Sequence, residues 1–404
     1  MSGSLREDRG ANLRRPVYLD YQATTPVDSR VLDAMLPYFT EKFGNPHSIG
    51  HAFGTEAAEA VEAARAQVAA LIGADAREIV FTSGATESNN LAIKGAAWFE
   101  REVRHGRRDR IVTLATEHKC VIETCRRLAR EGFAVEFLPV PRSGLLDPDR
   151  LAEALDERTL LVSVLAAHNE IGVIQPLARI GALCRERGIL FHSDCAQATG
   201  KIALDVEAMN LDLASISGHK LYGPKGVGAL YVRRRPRARL LPLIDGGGQE
   251  RGMRSGTLPA PLCVGLGMAC EIARREMASE APRLAALRDR LLAGLAEAVP
   301  GLAVNGDLAA RLPGNLNVAF KGVDGDALLA ALRDDLAAST GSACTSAAVE
   351  PSYVLRALGL DDAEARGSIR LAVGRFTTEA EIDFAVAAVA AGLARLGRMS
   401  RAEA

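Results

Sequence analysis

Leu211-Asp212-Leu213-Ala214-Ser215-Ile216-Ser217-Gly218-His219-Lys220-Leu221-Tyr222-Gly223-Pro224-Lys225-Gly226 is an apolar run that closes on a lysine and a glycine-rich turn. The run predicts a buried strand from Asp212 to Ser217 with Lys220 at its rim. A lysine there loses water, which disfavours the ammonium and lowers its pKa, as a nucleophilic amine requires. Alone the signal is weak, because most of the chain's 49 lysines and arginines are solvated. Upstream, Phe191-His192-Ser193-Asp194-Cys195-Ala196-Gln197 is a second apolar strand, and it ends on a carboxylate.

Around these two lie further strand-like runs: 78–82, 110–114, 134–138, 160–164 and 188–191. Helical stretches separate them, among them 90–98 and 121–130. Near-continuous apolar strands alternating with amphipathic helices predict an α/β fold with a mostly parallel sheet covered on both faces. Ligands bind such sheets at the carboxyl ends of the strands, where Asp194 and Lys220 both fall. Beyond Cys270 a long charged helix (277–299) leads to short strands (315–320, 368–373) and helices (326–336, 379–396). That texture predicts a smaller α+β domain. The expected division is an N-terminal arm with part of the small domain (1–25), a large domain (26–276) and a small domain (277–404).

Composition narrows the function. The 404 residues are 48% hydrophobic and 25% charged, enough for two domains. A formal net charge of −1 offers no general attraction for nucleic acid or an anionic membrane. No apolar run approaches the ~20 residues of a membrane span. The first fifteen residues are polar and mixed in charge, so no secretory or transit signal is expected and the location is read as cytoplasmic. Seven cysteines (120, 125, 184, 195, 263, 270, 344) without CxxC spacing read as reduced thiols, not as a disulfide frame or a resident metal site.

A strand-end Asp with a strand-end Lys is the pairing that pyridoxal phosphate requires. The Asp keeps the pyridine nitrogen protonated, and the Lys holds the aldehyde as a Schiff base. Thr82-Ser83-Gly84-Ala85-Thr86-Glu87-Ser88-Asn89 turns from strand to helix, and there a free helix N-terminus suits an anion such as the cofactor's phosphate. Ser217 and His219 flank Lys220 and are placed to complete a phosphate cup.

These residues, together with Tyr18–Pro26, Phe43–Pro46, Glu117-His118, Asn169–Gly172, Arg251–Thr257 and Gly341–Ser346, resemble the cysteine desulfurases of the NifS/IscS type. These are class-V aminotransferase relatives within the pyridoxal-phosphate fold type I. The resemblance runs from about Val17 to Gly397. It implies that Lys220 carries the cofactor, Asp194 pairs with its pyridine nitrogen, Gln197 meets its phenolic oxygen and His118 stacks on its ring. It assigns the phosphate to Ala85, Thr86, Ser217 and His219, with Thr257 reaching in from the second subunit of a homodimer. Asn169 and Arg370 are assigned the substrate carboxylate, for which a guanidinium fork is well shaped. The loop Gly246–Gly256 is expected to serve the interface more than its own domain.

Cys344 decides the chemistry. Its neighbours, Ala337 to Ala348, are small and polar without apolar periodicity, the composition of an exposed loop. A free thiol of pKa ~8.5 is only about 3% thiolate at pH 7, and a cationic pocket raises that share. Cys120, Cys125, Cys184, Cys263 and Cys270 fall on predicted helices and read as small core residues. No role is assigned to Cys195. The resemblance implies conversion of L-cysteine to L-alanine. Sulfur would pass as a persulfide on Cys344 to an iron–sulfur scaffold or other acceptor protein, and Cys344 is the residue a transferred iron–sulfur cluster would use. The alternatives are a selenocysteine lyase or aminotransferase on the same fold and, in another class, a non-catalytic scaffold.

Overall fold

The computed structural model describes residues 13–341 and 350–402, without the side chains of 399–402. In chain order the strands are β1 (Val17–Tyr18), β2 (Ile79–Thr82), β3 (Arg110–Leu114), β4 (Ala134–Leu138), β5 (Thr159–Ser163) and β6 (Leu190–Asp194). They continue with β7 (Leu213–Ser217), β8 (Gly228–Val232), β9 (Ala303–Val304), β10 (Asn315–Ala319), β11 (Leu336–Ala337) and β12 (Ser368–Ala372). Seven of them form one sheet in the order β2-β8-β7-β6-β5-β3-β4. β4, β3, β5, β6 and β7 run parallel, and β8 alone is reversed, antiparallel to both β7 and β2. The expected strands are present, but β8 is an addition to them. Its reversal has a steric cause: ten residues join it to β7, too few for the crossover a parallel neighbour needs. That short connection carries Lys220.

Strands β2, β5, β7 and β8 are buried at every position, as a sheet covered on both faces requires. His192 sits mid-sheet in β6. Its Nδ1 meets Ser163 Oγ of β5 at 2.8 Å, and its Nε2 meets Ser215 Oγ of β7 at 3.1 Å. One imidazole thus fixes the register of three strands. Two glycines allow the turn after β2 to lie on β8. Gly84 has φ +150°, and a Cβ on Gly228 would stand 2.7 Å from Gly84 Cα.

The helix Ala260–Ala298 runs unbroken across position 276. Its first half buries Cys263, Leu266, Ala269 and Cys270 in the core of the large sheet. Its second half gives Leu287, Leu291 and Leu295 to a separate core built on β10, β12 and the helix Glu379–Ala402. The core thus changes partly along a single helix, with no linker between the two. Val17 and Leu19 belong to the second core, and β1 pairs with β11, so the N-terminal segment is bound to that unit. Each such buried aliphatic side chain contributes about 2 kcal/mol.

Arg65 and Glu250 form a buried bidentate pair, Nη1–Oε2 at 2.7 Å and Nη2–Oε1 at 2.8 Å. Glu250 also accepts the Phe81 N–H at 2.8 Å. The loop Gly246–Gly256 is therefore clamped to its own domain, a structural role beyond the expected one. Glu250→Ala leaves the buried Arg65 cation with Glu62, an exposed partner at 3.0 Å, and is expected to lower unfolding free energy by about 3 kcal/mol in denaturant titration. A loss under ~1 kcal/mol would contradict this reading.

Burial pushes the His192 imidazole down to about 3, from an ordinary value of 6.5. The unfolded chain then binds a proton below 6.5 that the native protein refuses, so stability is lost as pH falls from 6.5 toward 3. Buried carboxyls act in the opposite sense, so the test compares proteins. The advantage of wild type over His192→Asn should shrink by about 1 kcal/mol per pH unit below 6.5. A constant difference from pH 7.5 to 4.5 would refute it.

Candidate active site

At the carboxyl ends of the parallel strands lies a cavity of about 570 Å³. Ala85, Thr86, His118, Asn169, Asp194, Gln197, Ser217, His219, Lys220 and Arg370, all anticipated from sequence, line it together. The strand-to-strand periodicity of the α/β fold brings these distant segments to one edge.

The turn after β2 opens the helix Ala85–Trp98 at Gly84, with no side chain capping its end. First-turn N–H groups, with the helix dipole, are therefore directed at the cavity. Nearby, Glu87 accepts the Ser83 N–H at 2.7 Å and pairs with Arg254 at 3.0 Å, which anchors the turn from behind.

Asp194 ends β6. Its Oδ1 accepts the Ala196 N–H at 3.0 Å, and its Oδ2 accepts Asn89 Nδ2 at 2.6 Å. His118 caps the helix Lys119–Arg130. Its Nδ1 accepts the Cys120 N–H at 3.3 Å and lies 2.9 Å from Cys120 Sγ. Cys120 is half-buried on the cavity wall, with Asn89 Nδ2 at 3.1 Å, so its reading as a core residue is corrected. Cys125, Cys184, Cys263 and Cys270 are buried as expected, and burial pushes the first three thiols up to about 12. Cys195 is equally buried, its thiol pushed to about 12 by the same cause.

Lys220 Nζ donates to the carbonyls of Gln22 at 2.6 Å and Ala23 at 2.7 Å. Gln197 Nε2 donates to the same Gln22 carbonyl at 2.9 Å. Burial, then the Lys220 and Lys225 cations, lowers His219 to about 4, so it is neutral at pH 7.

Arg370 Nη1 donates to the Asn169 carbonyl at 2.8 Å and Nη2 to Asp20 Oδ1 at 2.6 Å, while its buried Nε has no partner among the described residues. The guanidinium is thus held from two sides, with Nε and the second N–H of each Nη left over. His168, beside Asn169, has a structural job. Its Nε2 donates to the Thr116 carbonyl at 2.7 Å and its Nδ1 accepts the Glu170 N–H at 3.0 Å. Burial lowers its pKa to about 4, so this neutral tautomer persists. Glu117 accepts the Leu165 N–H at 2.7 Å, and complete burial raises it well above the usual carboxylate range.

Thr257 does not join the cavity within this chain. It lines a second one of about 210 Å³ with Phe43, Asn45 and Pro46. Cys344 lies outside the described residues. Gly341, three positions before it, lines the main cavity, and beyond it Ser352 Oγ donates to Glu170 Oε2 at 2.6 Å. Sequence reading passed over Gln22, Asn89 and Lys201. For Asn89 a signal existed, since it lies one turn beyond Thr86 on an inward-facing helix.

The aminotransferase class-V family profile matches residues 17–384. The chain is 56% identical over 389 residues to the cysteine desulfurase IscS of Rickettsia rickettsii (strain Iowa), covering 96% of this chain and 94% of that protein. The same figures hold for the cysteine desulfurase IscS of Rickettsia typhi. Among solved structures, a NifS-like protein aligns with a TM-score of 0.87 at 38% identity, over 94% of this chain and 99% of the other. SspA in complex with cysteine aligns with a TM-score of 0.79 at 40% identity, over 89% and 99%. The chain belongs to the class-V aminotransferase family and, within it, to the cysteine desulfurases.

Proposed function

We propose that this cavity binds pyridoxal phosphate on Lys220 and converts L-cysteine to L-alanine, with sulfur leaving as a persulfide on Cys344. The observation that carries this reading is the convergence of Lys220, Asp194 and His118 with an uncapped helix N-terminus in one cavity. The donor set fits the cofactor. Backbone N–H groups at Ala85 and Thr86, with Ser217 and His219, suit a phosphate. Asp194, held through both oxygens, suits a protonated pyridine nitrogen. A volume near 570 Å³ suits a cofactor with a small amino acid beside it. When bound, the cofactor supplies an electron sink that makes the substrate's α-proton removable.

The chain's own residues do the rest. Arg370, with its unpartnered Nε, and Asn169 orient the substrate carboxylate. With the Gln22 and Ala23 carbonyls receiving its N–H groups, the Lys220 amine would be held at the wall to take the substrate's α-proton. His118, on the cavity wall, would pack against the bound cofactor and return a proton to the alanine product. The Cys344 thiolate attacks the substrate sulfur. An S–S bond forms, the substrate C–S bond breaks, and its electron pair stays with the departing three-carbon unit, which is protonated to alanine. The persulfide then passes to an acceptor protein for iron–sulfur cluster assembly or thiolation. The SspA structure, solved with cysteine, supports that substrate class.

The working form is a homodimer. Leu36, Phe39, Phe43, Ile49 and Phe53 are all exposed, and the rings of Phe43 and Phe53 lie 5.5 Å apart beside the Thr257 cavity. Such an apolar patch suits an isologous contact that carries Thr257 to the partner's phosphate. Among the described residues no helix is long and apolar enough to cross a membrane, and the proposed location is the cytoplasm.

Cys344→Ser should bind cofactor and substrate like wild type yet lose turnover by roughly a hundredfold or more, since a hydroxyl cannot hold transferable sulfur. Alanine and sulfide are measured in parallel; full sulfide release by this variant would assign the chain to a lyase or aminotransferase. Sedimentation should find a dimer, and Phe43→Asp should shift it toward monomer with weakened cofactor retention. A fully active monomer would exclude the shared site.

A further inference from the structure

Lys201 stands behind the candidate site, not in it. It follows Gln197 by four residues in the turns after β6, where a Cβ on Gly200 would stand 3.0 Å from that of Ala273 on the long helix. Its Nζ donates to Gln197 Oε1 at 2.9 Å. Gln197 Nε2 donates to the Gln22 carbonyl at 2.9 Å, and Lys220 Nζ donates to that same carbonyl at 2.6 Å. The two lysines are therefore the ends of one chain of hydrogen bonds. Lys201 also borders a small cavity of about 30 Å³, room for one water, which reaches the back of Lys220, Gln22 and Glu280.

A primary amide has an accepting end and a donating end, and its neighbours decide which faces a ligand. An ammonium only donates. Gln197 must therefore turn its Oε1 to Lys201, which directs Nε2 toward the Gln22 carbonyl and the main cavity. One N–H is used by Gln22, and the other remains for a ligand acceptor. Burial, then the Lys220 and Arg370 cations, brings the Lys201 ammonium down to about 7, so the donor-only form prevails below that pH, and above it the Gln22 carbonyl alone keeps Nε2 turned its way.

We propose that Lys201 is a positioning residue: it fixes the Gln197 amide so that a donor, never the carbonyl, meets the phenolic oxygen of a cofactor on Lys220. This rests on the reading that pyridoxal phosphate occupies the cavity. A donor on that oxygen stabilises its anionic form and loosens the proton held between it and the linking nitrogen. Without Lys201 only the Gln22 carbonyl holds the amide, which then presents its carbonyl part of the time; that repels the oxygen and tightens the proton.

The test is a pH titration of the visible absorbance of the full-length, cofactor-loaded protein. For Lys201→Met the midpoint should rise by roughly one pH unit, a tenfold change in proton affinity. Lys201→Arg keeps the donor and should restore the wild-type midpoint. Turnover of Lys201→Met should fall severalfold with KM for L-cysteine little changed, because Lys201 touches no substrate. If Lys201→Met fails to fold, Lys201→Gln, neutral and polar, should shift the midpoint the same way by a smaller amount. A loaded Lys201→Met or Lys201→Gln protein that titrates like wild type overturns the proposal and leaves the cofactor reading intact. Wild type that develops no visible band with pyridoxal phosphate overturns the cofactor reading itself, and the proposal with it.

Discussion

The carbonyls of Gln22 and Ala23, at 2.6 and 2.7 Å from Lys220 Nζ, are the contact on which the rest of the site depends. They join the N-terminal segment, bound to the small core through Val17 and Leu19, to the connection between β7 and β8. The contact is reinforced from both sides. Thr25 Oγ1 donates to the His219 carbonyl at 2.9 Å, and the Tyr222 N–H donates to Thr25 Oγ1 at 2.8 Å. A lysine fixed this way needs no packing around its ammonium, so its tip can serve the cavity. The reversed strand β8 follows from the same economy of chain, since only a short return carries Lys220 back over the sheet edge.

Charge is distributed to match. Buried histidines are neutral: His192 and His168 by burial, and His219 by burial with the neighbouring lysines. Complete burial raises Glu117, near Asp194, above the usual carboxylate range. Asp194 faces the cavity, held through both oxygens by Asn89 and the Ala196 N–H, while Glu87, which also lines it, is paired with Arg254. Arg370, pinned by Asp20 and the Asn169 carbonyl, supplies the opposite charge across it. An amino acid entering between them meets a polarised cavity already built, with little reorganisation left to do.

What sequence made legible is local. The apolar runs ending in Asp194 and Lys220, and the Gly84 turn opening a helix, carry their meaning within a few residues, because a strand end and a helix start are short-range events. The cavity-lining residues emerged from those ends and from the family resemblance. What remained hidden is long-range. Asn89 meets Asp194 across 105 positions, and Lys220 meets Gln22 across 198. No periodicity announces such pairs. Cys120 was misread for the same reason: helical spacing placed it inward, but the helix's first turn borders the cavity, not the core. β8, Gly228 to Val232, is apolar throughout and was passed over because the series of strands was followed only to Lys220. The long helix Ala260–Ala298 shows that a change of composition near position 276 marks a change of core and leaves the backbone unbroken.

The central claim is that one lysine, Lys220, carries the cofactor in this cavity. The most direct test is to add pyridoxal phosphate to the purified protein, reduce with borohydride, and locate the adduct by peptide mass spectrometry. The account predicts one adduct per chain, on the peptide bearing Lys220, and none after Lys220→Ala. An adduct on Lys201, Lys225 or a scatter of surface lysines, with Lys220 unmodified, would contradict it.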